Sequence, residues 1–304
     1  MASGVQGKTM NILKSVLSIA VCITSFMPAA QASAEYDRHY AVGKDFLNRE
    51  QYKLAVDEFT QALKASNSAI ALVDRGTAYS ELKKYDAAIN DLNQAIKIDG
   101  KNPLAYTVRG VVYFRSFRPK QAIADFDQAL ALSKDDKYAL VNRAGAYLML
   151  DNPGAFAKNT LDWLDRSQWK SDFSGHAACL SVLAYKFSKQ PIQAKSLSEL
   201  SLKKLNRLLW PYSVFKYFVG KEDQEKLLEH AENSTYDLAQ CQAFLGLDAY
   251  SRGDVAVARD KFLFVSKHGV VNSVEYWLAK FYLDKINSVK TDSAKTVSVK
   301  TVKK

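Results

Sequence analysis

The side chains that most often perform chemistry are present in this sequence, but their spacing fits no catalytic or metal site. The histidines lie far apart along the chain, and no HExxH or CxxC motif supplies further ligands. They are His39, His176, His230 and His268. Carboxylates are plentiful, but Asp and Glu on helical surfaces are usually solvated. We therefore expect no enzymatic activity, no metal and no cofactor.

Two short segments resemble functional motifs without satisfying them. The segment GVQGKT at residues 4–9 has the lysine and threonine of a phosphate-binding loop, but its glycines are too close together. The segment SGH at residues 174–176 lacks the G-x-S-x-G pattern of a nucleophile elbow. Neither segment predicts a reaction.

Three arginines occupy matched positions and each precedes a small residue. They are Arg75, Arg109 and Arg143. As a ladder they could bind anions, and as structural residues they would pair with acidic side chains. Acidic residues recur on the preceding helix at Glu58, Asp91 and Asp125. This recurrence favours interhelical ion pairs over an anion site.

The same spacing of small and aromatic residues recurs in three consecutive stretches. RGTAYSELKKYDAAINDLNQAI at residues 75–96 is repeated 34 residues later and, more loosely, 33 residues earlier. The recurring residues are Gly43, Ala55 and Phe59; then Gly76, Tyr79 and Ala88; then Gly110, Tyr113, Ala122 and Phe126. Small residues are needed where two helices cross closely. The period predicts stacked helical hairpins, none of which buries its apolar face alone.

These residues resemble the tetratricopeptide repeat (TPR) pattern. The resemblance implies an all-α fold, a right-handed α-solenoid of helical hairpins. Three regular repeats are followed by divergent ones and a closing helix. The family's usual proline at the end of the second helix is absent, and Asn67, Gly100 and Lys134 stand near that point.

The repeats divide the chain into five predicted segments. Residues 1–34 are a signal peptide, with 1–9 as an N-terminal extension, and residues 35–136 are three regular repeats. Residues 137–208 are divergent hairpins, 209–286 are a C-terminal repeat with a capping helix, and 287–304 are a basic disordered tail. The signature returns in the C-terminal repeat at Gly246, Ala258 and Phe262.

The C-terminal third carries a second resemblance. Its features are Trp210-Pro211, Cys241, Gly246, Gly253-Asp254 and Glu275-Tyr276. In this order they resemble envelope TPR proteins of the NlpI-like lipoprotein type. That resemblance implies partners in the cell envelope, such as a protease or a cell-wall hydrolase.

The N-terminal pattern predicts export to the periplasm. Lys14 is followed by an apolar run and by two overlapping small-x-small sites, at residues 30–32 and 32–34. Val21 before Cys22 is too large for a lipoprotein signal, so we expect a soluble mature protein without a lipid anchor. Translation could start at Met1 or Met10.

Two cysteines remain after such a cleavage, Cys179 and Cys241. In an oxidising compartment they could form one disulfide, and otherwise they are buried thiols on helices. The sequence leaves both states open.

A stack of hairpins predicts a groove lined by the first helix of each hairpin. Eight residues on those helices point away from the second helix by register: Tyr40, Lys44, Val73, Thr77, Thr107, Val111, Phe114 and Val141. Because this set is more apolar than charged, we expect it to hold an extended or helical peptide segment with apolar anchors.

Net charge is +10, from 42 basic and 32 acidic residues, but the repeats carry no basic stripe with interleaved aromatics. We therefore expect no nucleic-acid partner, and only weak contact between the basic tail and anionic surfaces. The predicted function is a non-enzymatic periplasmic scaffold or adaptor for envelope proteins. The alternative is a self-associating structural component, such as a homodimer.

Overall fold

The computed structural model describes residues 29–150 and 154–301, and every regular element in those ranges is an α-helix. This confirms the all-α prediction. The chain divides into two compact units, the first ending at Gly100 and the second beginning at Lys101. Most of the predicted signal peptide, residues 1–28, lies outside the described residues. Residues 29–34, which we assigned to it, form the start of the first helix.

The first unit contains two helical hairpins. Its helices are α1 (Ala29–Asn48), α2 (Tyr52–Ala65), α3 (Ala69–Glu81) and α4 (Tyr85–Ile98). Helix α1 packs on α2, α2 on α3, and α3 on α4. Buried alanines such as Ala55 and Ala88 allow these helices to approach closely.

The second unit contains further helical hairpins, and its last helix packs back against an earlier one. Its helices are α5 (Pro103–Arg115), α6 (Pro119–Leu132), α7 (Lys137–Met149), α8 (Gly154–Arg166), α9 (Ser174–Phe187), α10 (Pro191–Lys204), α11 (Tyr212–Phe218), α12 (Gln224–Ala231), α13 (Thr235–Arg252), α14 (Val255–His268) and α15 (Val274–Thr301). Helix α9 packs against α7, α8, α10 and α13. Helix α15 packs against α13 and α14, and also against α7.

Local sequence signals set the helix boundaries. The side chain of Asn102 accepts a hydrogen bond from the Leu104 amide, and Pro103 occupies the first turn of α5. Asp136 caps α7 in the same way, with acceptor bonds from the Tyr138 and Ala139 amides. Each of these caps satisfies amides that have no partner within the helix.

The turns inside successive hairpins share one backbone conformation. A residue with positive φ precedes the second helix of the hairpin by two positions, at Glu50, Lys83, Phe117, Lys189 and Gly253. Side-chain-bearing residues adopt this left-handed conformation at a cost of about 1–2 kcal/mol. Its recurrence at Lys189 and Gly253 indicates that the divergent hairpins retain the turn of the regular ones.

The recurring glycines lie against a large apolar side chain sixteen positions later. A Cβ atom built on Gly110 would stand 2.6 Å from the Phe126 ring, and one on Gly43 would stand 2.7 Å from Phe59. At Gly246 the corresponding distance to Phe262 is 2.5 Å. At Gly76 the partner is Leu92, at 3.0 Å, and the Ala88 carbonyl oxygen is at 3.3 Å. The crossings therefore depend on the absence of a side chain.

The C-terminal tail differs from our expectation. We predicted residues 287–304 to be disordered, but the backbone of α15 continues to Thr301. No glycine or proline follows Val274, so nothing in the sequence ends the helix earlier.

Within the described residues, we find no helix with both the length and the apolar character needed to cross a bilayer.

Candidate functional site

In the first unit, the predicted groove residues make contacts between α1 and α3 and within α3. The Tyr40 hydroxyl donates a 2.8 Å hydrogen bond to Asp74 Oδ2, and Lys44 Nζ donates one of 3.2 Å to Asp74 Oδ1. Burial, and then the hydrogen bond to Asp74, raises the pKa of Tyr40. Val73 is buried, and the Thr77 hydroxyl donates to the Val73 carbonyl. These contacts tie α1 to α3 and leave little of the predicted set free for a ligand.

In the second unit, three of the four predicted groove residues are buried. The Thr107 hydroxyl donates a 2.6 Å hydrogen bond to Asp136 Oδ2. Phe114 is 1% exposed and lies against Gly145, where a Cβ would meet both Phe114 and Val274 of α15. Val111 is half-buried and Val141 is buried. The prediction of a free apolar surface is therefore wrong at Phe114, because its ring is buried against Gly145 of α7.

A cavity of about 310 Å³ lies beside α7 and α9. Helices α7, α9, α13 and α15 supply its walls. The lining residues are Tyr138, Val141, Asn142, Asp172, Phe173, His176, Tyr236, Gln240, Asn272, Ser273, Val274 and Glu275. Val141 is the predicted groove residue among them. The lining contains two carboxylates and no lysine or arginine.

Gln240 of α13 organises the polar side of this cavity. Its Oε1 accepts a 2.7 Å hydrogen bond from the Trp210 indole and lies 3.1 Å from His176 Nε2. Its Nε2 donates to the Tyr236 hydroxyl at 3.0 Å and, more weakly, to Glu275 Oε2 at 3.5 Å. Gln240 is 3% exposed, so these bonds satisfy a buried amide. They also hold the cavity wall in one geometry.

Glu275 is an unusual member of the lining. It is 3% exposed, and its Oε1 accepts no hydrogen bond from the described residues. It lies in the first turn of α15, where the helix dipole favours a negative charge. The negative charge of Glu275 also affects the pKa of neighbouring residues. Burial first, and then the Glu275 carboxylate, raises the pKa of Tyr236 and that of the Cys179 thiol.

Two aromatic rings form the rim of the cavity. Tyr138 and Phe173 meet edge to face, with centroids 5.1 Å apart. Lys137 Nζ lies 4.8 Å from the Phe173 centroid and 5.6 Å from that of Tyr138. These ring faces thus attract a cation, as expected from their quadrupoles. Tyr138 is 55% exposed, so the rim is open to solvent.

The three matched arginines form ion pairs, but two of the predicted partners are on the wrong helix. Arg75 Nε and Nη2 donate to Asp91 at 2.7 and 2.8 Å, and Arg109 makes the same bidentate contact with Asp125. Each partner lies on the following helix, sixteen residues later, rather than on the preceding one. Arg143 pairs with the preceding helix, through Asp127 at 2.6 Å instead of Asp125. Arg75 and Arg109 each precede a glycine that lies against the following helix, which brings that helix within reach of the guanidinium group.

Two of the histidines lie beside carboxylates, and both cysteines are buried. His39 Nδ1 lies 2.6 Å from Glu58 Oε2, and the His230 ring lies 3.5 Å from Glu222. Among the described residues, no group of three or more side chains could hold a metal ion. Cys179 and Cys241 are free and buried, and burial raises the pKa of Cys241 to about 12.

Three site residues, Glu275, Phe173 and Gln240, are not among those predicted from the sequence. For Glu275 a signal was present, because it shares one helical face with Leu278, Ala279 and Tyr282, all of which are buried. A carboxylate on an apolar face is unusual and marks a position to inspect. For Phe173 and Gln240 the sequence holds no comparable signal, since their proximity depends on how α9 and α13 pack.

Comparison with known proteins identifies the repeats. A family model described as TPR repeat matches residues 76–116, and one described as tetratricopeptide repeat matches residues 104–136. Residues 76–136 carry tetratricopeptide repeats. Repeats of this kind mediate contacts between proteins. The NlpI-like resemblance of the C-terminal third stays a prediction, since the matched residues end before it.

The relatives agree with a TPR fold. The chain is 27% identical over 115 residues to the Saccharomyces cerevisiae small glutamine-rich tetratricopeptide repeat-containing protein 2, covering 38% of this chain and 33% of that protein. The chain thus spans about a third of the length of the curated relatives it matches. A TPR protein from Parabacteroides merdae superposes with TM-score 0.56 at 16% identity, covering 82% of this chain and 98% of that one. The structure of Pseudomonas aeruginosa pilF gives TM-score 0.50 at 14% identity, covering 81% and 96%. At such identities the structural likeness concerns the TPR fold alone.

Proposed function

We propose that this protein is a non-enzymatic scaffold of the cell envelope, which binds partner proteins in the cavity of its second unit. The observation that carries the proposal is the cavity between α7, α9, α13 and α15. Val141, predicted from its register to face the groove of the stacked hairpins, is one of its lining residues. Its rim has an exposed aromatic ring, Tyr138, of the kind that anchors protein interfaces.

The envelope location rests on the N-terminal sequence. The apolar run and the two small-x-small sites have the order of a cleaved signal peptide. Cleavage after Ala32 or Ala34 would leave most of α1 in place, since α1 extends to Asn48. Sequencing the N-terminus of the protein from an envelope fraction tests this. We expect the mature chain to begin at Ser33 or Glu35, and a chain retaining residues 10–28 would contradict export with cleavage.

A site-specific crosslinking experiment tests the scaffold function. A photoreactive residue replaces Tyr138 at the cavity rim, and in a control protein it replaces the exposed Gln128 on α6. We expect crosslinks from position 138 to one or a few envelope proteins, identified by mass spectrometry, and no such products from position 128. Equal product patterns from the two positions would contradict binding at the cavity.

Self-association is the second candidate, and exposed leucines favour it. Leu208 is 92% exposed and Leu209 is 62% exposed, side by side in the turn before α11. Two adjacent exposed leucines are suited to an apolar contact with a second copy. Light scattering over a range of concentrations separates the candidates. A dimer that dissociates in the variant Leu208→Asp favours self-association, whereas a monomer at all concentrations excludes it.

A further inference from the structure

The buried carboxylate of Glu275 lacks a compensating positive charge in the cavity. Its Oε1 has no hydrogen-bond partner among the described residues, and the lining contains neither lysine nor arginine. A buried carboxylate without an opposite charge beside it is destabilising in general. The helix dipole at the first turn of α15 offsets only part of this cost. The part of the cost that the dipole does not offset indicates that a cationic group from outside the chain would stabilise this site.

We propose that the cavity binds a lysine side chain of a partner protein, whose ammonium group pairs with the Glu275 carboxylate. The inference rests on the proposed scaffold function and specifies the chemistry of the partner. The cavity wall carries a second carboxylate, Asp172, although the whole chain has a net charge of +10. Even with the Lys137 ammonium at the rim counted, the local charge is negative, opposite to that of the protein and complementary to a cation.

The free acceptor at Glu275 suits an ammonium group better than a guanidinium group. Arginine binds a carboxylate best through two parallel hydrogen bonds, which need both oxygens. At Glu275, Oε2 already lies 3.5 Å from Gln240 Nε2, and Oε1 alone is unused. Lysine provides a compact charge that one oxygen can satisfy.

The aromatic rim suits the rest of a lysine side chain. Tyr138 and Phe173 present apolar ring surface at the entrance, and the methylene groups of lysine pack well on such surfaces. The Lys137 ammonium, 4.8 Å from the Phe173 centroid, shows that these rings accept a cation. An arriving lysine would cross this rim before its charge reaches Glu275.

Capped peptides test the proposal directly. The probes are Ac-Ala-Ala-Lys-Ala-Ala-NH2 and the same peptide with norleucine, which keeps the alkyl chain and removes the charge. The reporter is the indole N–H resonance of Trp210, which donates to Gln240 beside the cavity. We expect the lysine peptide to shift this resonance saturably and the norleucine peptide to bind at least tenfold more weakly. Equal binding by the two peptides would overturn the proposal.

Two variants connect the binding to Glu275. Glu275→Gln keeps the size and removes the charge, and we expect it to weaken lysine-peptide binding at least tenfold. Asp284→Asn removes an exposed charge from the same helix, and we expect it to leave the affinity unchanged. Unchanged binding by Glu275→Gln would overturn the proposal. If that variant does not fold, the comparison of lysine with norleucine on the unmodified protein decides.

Further experiments distinguish a failure of the lysine pocket from a failure of the scaffold function. Tighter binding by an arginine peptide or by spermidine would overturn the assignment to a protein lysine. A photoreactive residue at position 138 that captures the same partners with and without the Glu275→Gln substitution would uphold the scaffold and reject the lysine pocket. Lysine-peptide binding without any captured partner would uphold the pocket and contradict the scaffold.

Discussion

The hydroxyl of Tyr282 donates a 2.6 Å hydrogen bond to the carbonyl oxygen of Leu148, 134 residues earlier in the chain. Tyr282 is fully buried, and its ring packs against those of Tyr250 and Phe187. The bond joins α15 to the end of α7, so it connects the last helix with the fourth hairpin. The walls of the cavity come from both helices, and their spacing therefore depends on this contact.

Replacing Tyr282 with phenylalanine tests that dependence. The Tyr282→Phe variant keeps the ring and removes the hydroxyl from a site without water access. We expect the free energy of unfolding to fall by about 1–2 kcal/mol, because a buried hydrogen bond is lost. Urea denaturation monitored by circular dichroism measures the change.

A matched control uses another tyrosine of the second unit. The hydroxyl of Tyr212 donates a longer bond of 3.3 Å to the Leu202 carbonyl, and this residue is half-buried. The Tyr212→Phe variant should change stability by less than about 0.5 kcal/mol. An equal loss in both variants would contradict a special role for the contact between α15 and α7.

A second prediction concerns the helix crossings. A methyl group at Gly110 would stand 2.6 Å from the ring of Phe126, which is fully buried. We expect Gly110→Ala to reduce the free energy of unfolding by about 1–3 kcal/mol through overpacking. At Gly100 the nearest atom would be 3.4 Å away. Gly100→Ala should therefore be neutral or slightly stabilising, and thermal denaturation of the two variants compares them.

The hairpins could be predicted from the sequence because their determinants are local. Gly110 and Phe126 are sixteen residues apart, within one hairpin, and the same interval recurs at Gly43 and Phe59. The packing of α15 against α7, beside the buried Phe114, could not be predicted in this way. It depends on contacts such as that between Val274 and Gly145, which are 129 residues apart and have no repeated spacing.

Some residues of the cavity could likewise be predicted from one hairpin, whereas others depend on contacts between distant parts of the sequence. Val141 was predicted from its register on the first helix of a repeat, which a hairpin alone determines. Glu275 enters the cavity because α15 folds back onto α7, and no repeat encodes that return. The prediction of the arginine partners was wrong because acidic residues are present on both neighbouring helices. Only the packing of the helices decides which of them forms the ion pair.

The third prediction concerns those arginines. Arg109 contacts Asp125 through two hydrogen bonds of 2.7 and 2.6 Å, and Asp125 is 6% exposed. We expect Asp125→Asn to lower the free energy of unfolding by about 2–4 kcal/mol, because a largely buried guanidinium group loses its counter-charge. Urea denaturation provides the measurement.

An exposed ion pair serves as its control. Asp45 and Arg49 pair within α1 at 3.1 Å, and both side chains are more than half exposed. Such pairs contribute about 0.3–0.5 kcal/mol, and added salt screens them. Asp45→Asn should therefore have little effect on stability. Similar losses for the two variants would indicate that the contact with Arg109 is no stronger than a surface pair.

The last prediction follows from the two buried thiols. Burial raises the pKa of Cys241 from 9.0 to about 12 and also raises that of Cys179. In the unfolded chain these thiols lose their protons near pH 9, whereas the folded protein retains them. The unfolded state is then favoured as the pH rises, by up to about 1.4 kcal/mol per pH unit for each thiol. We expect stability to be unaffected by these groups below pH 9 and to fall between pH 9 and 12. In Cys241→Ala the fall in that range should be shallower than in the unmodified protein, since the tyrosines and lysines titrate in both. Parallel slopes, or thiols that resist alkylation in denaturant without reductant, would contradict a buried and free Cys241.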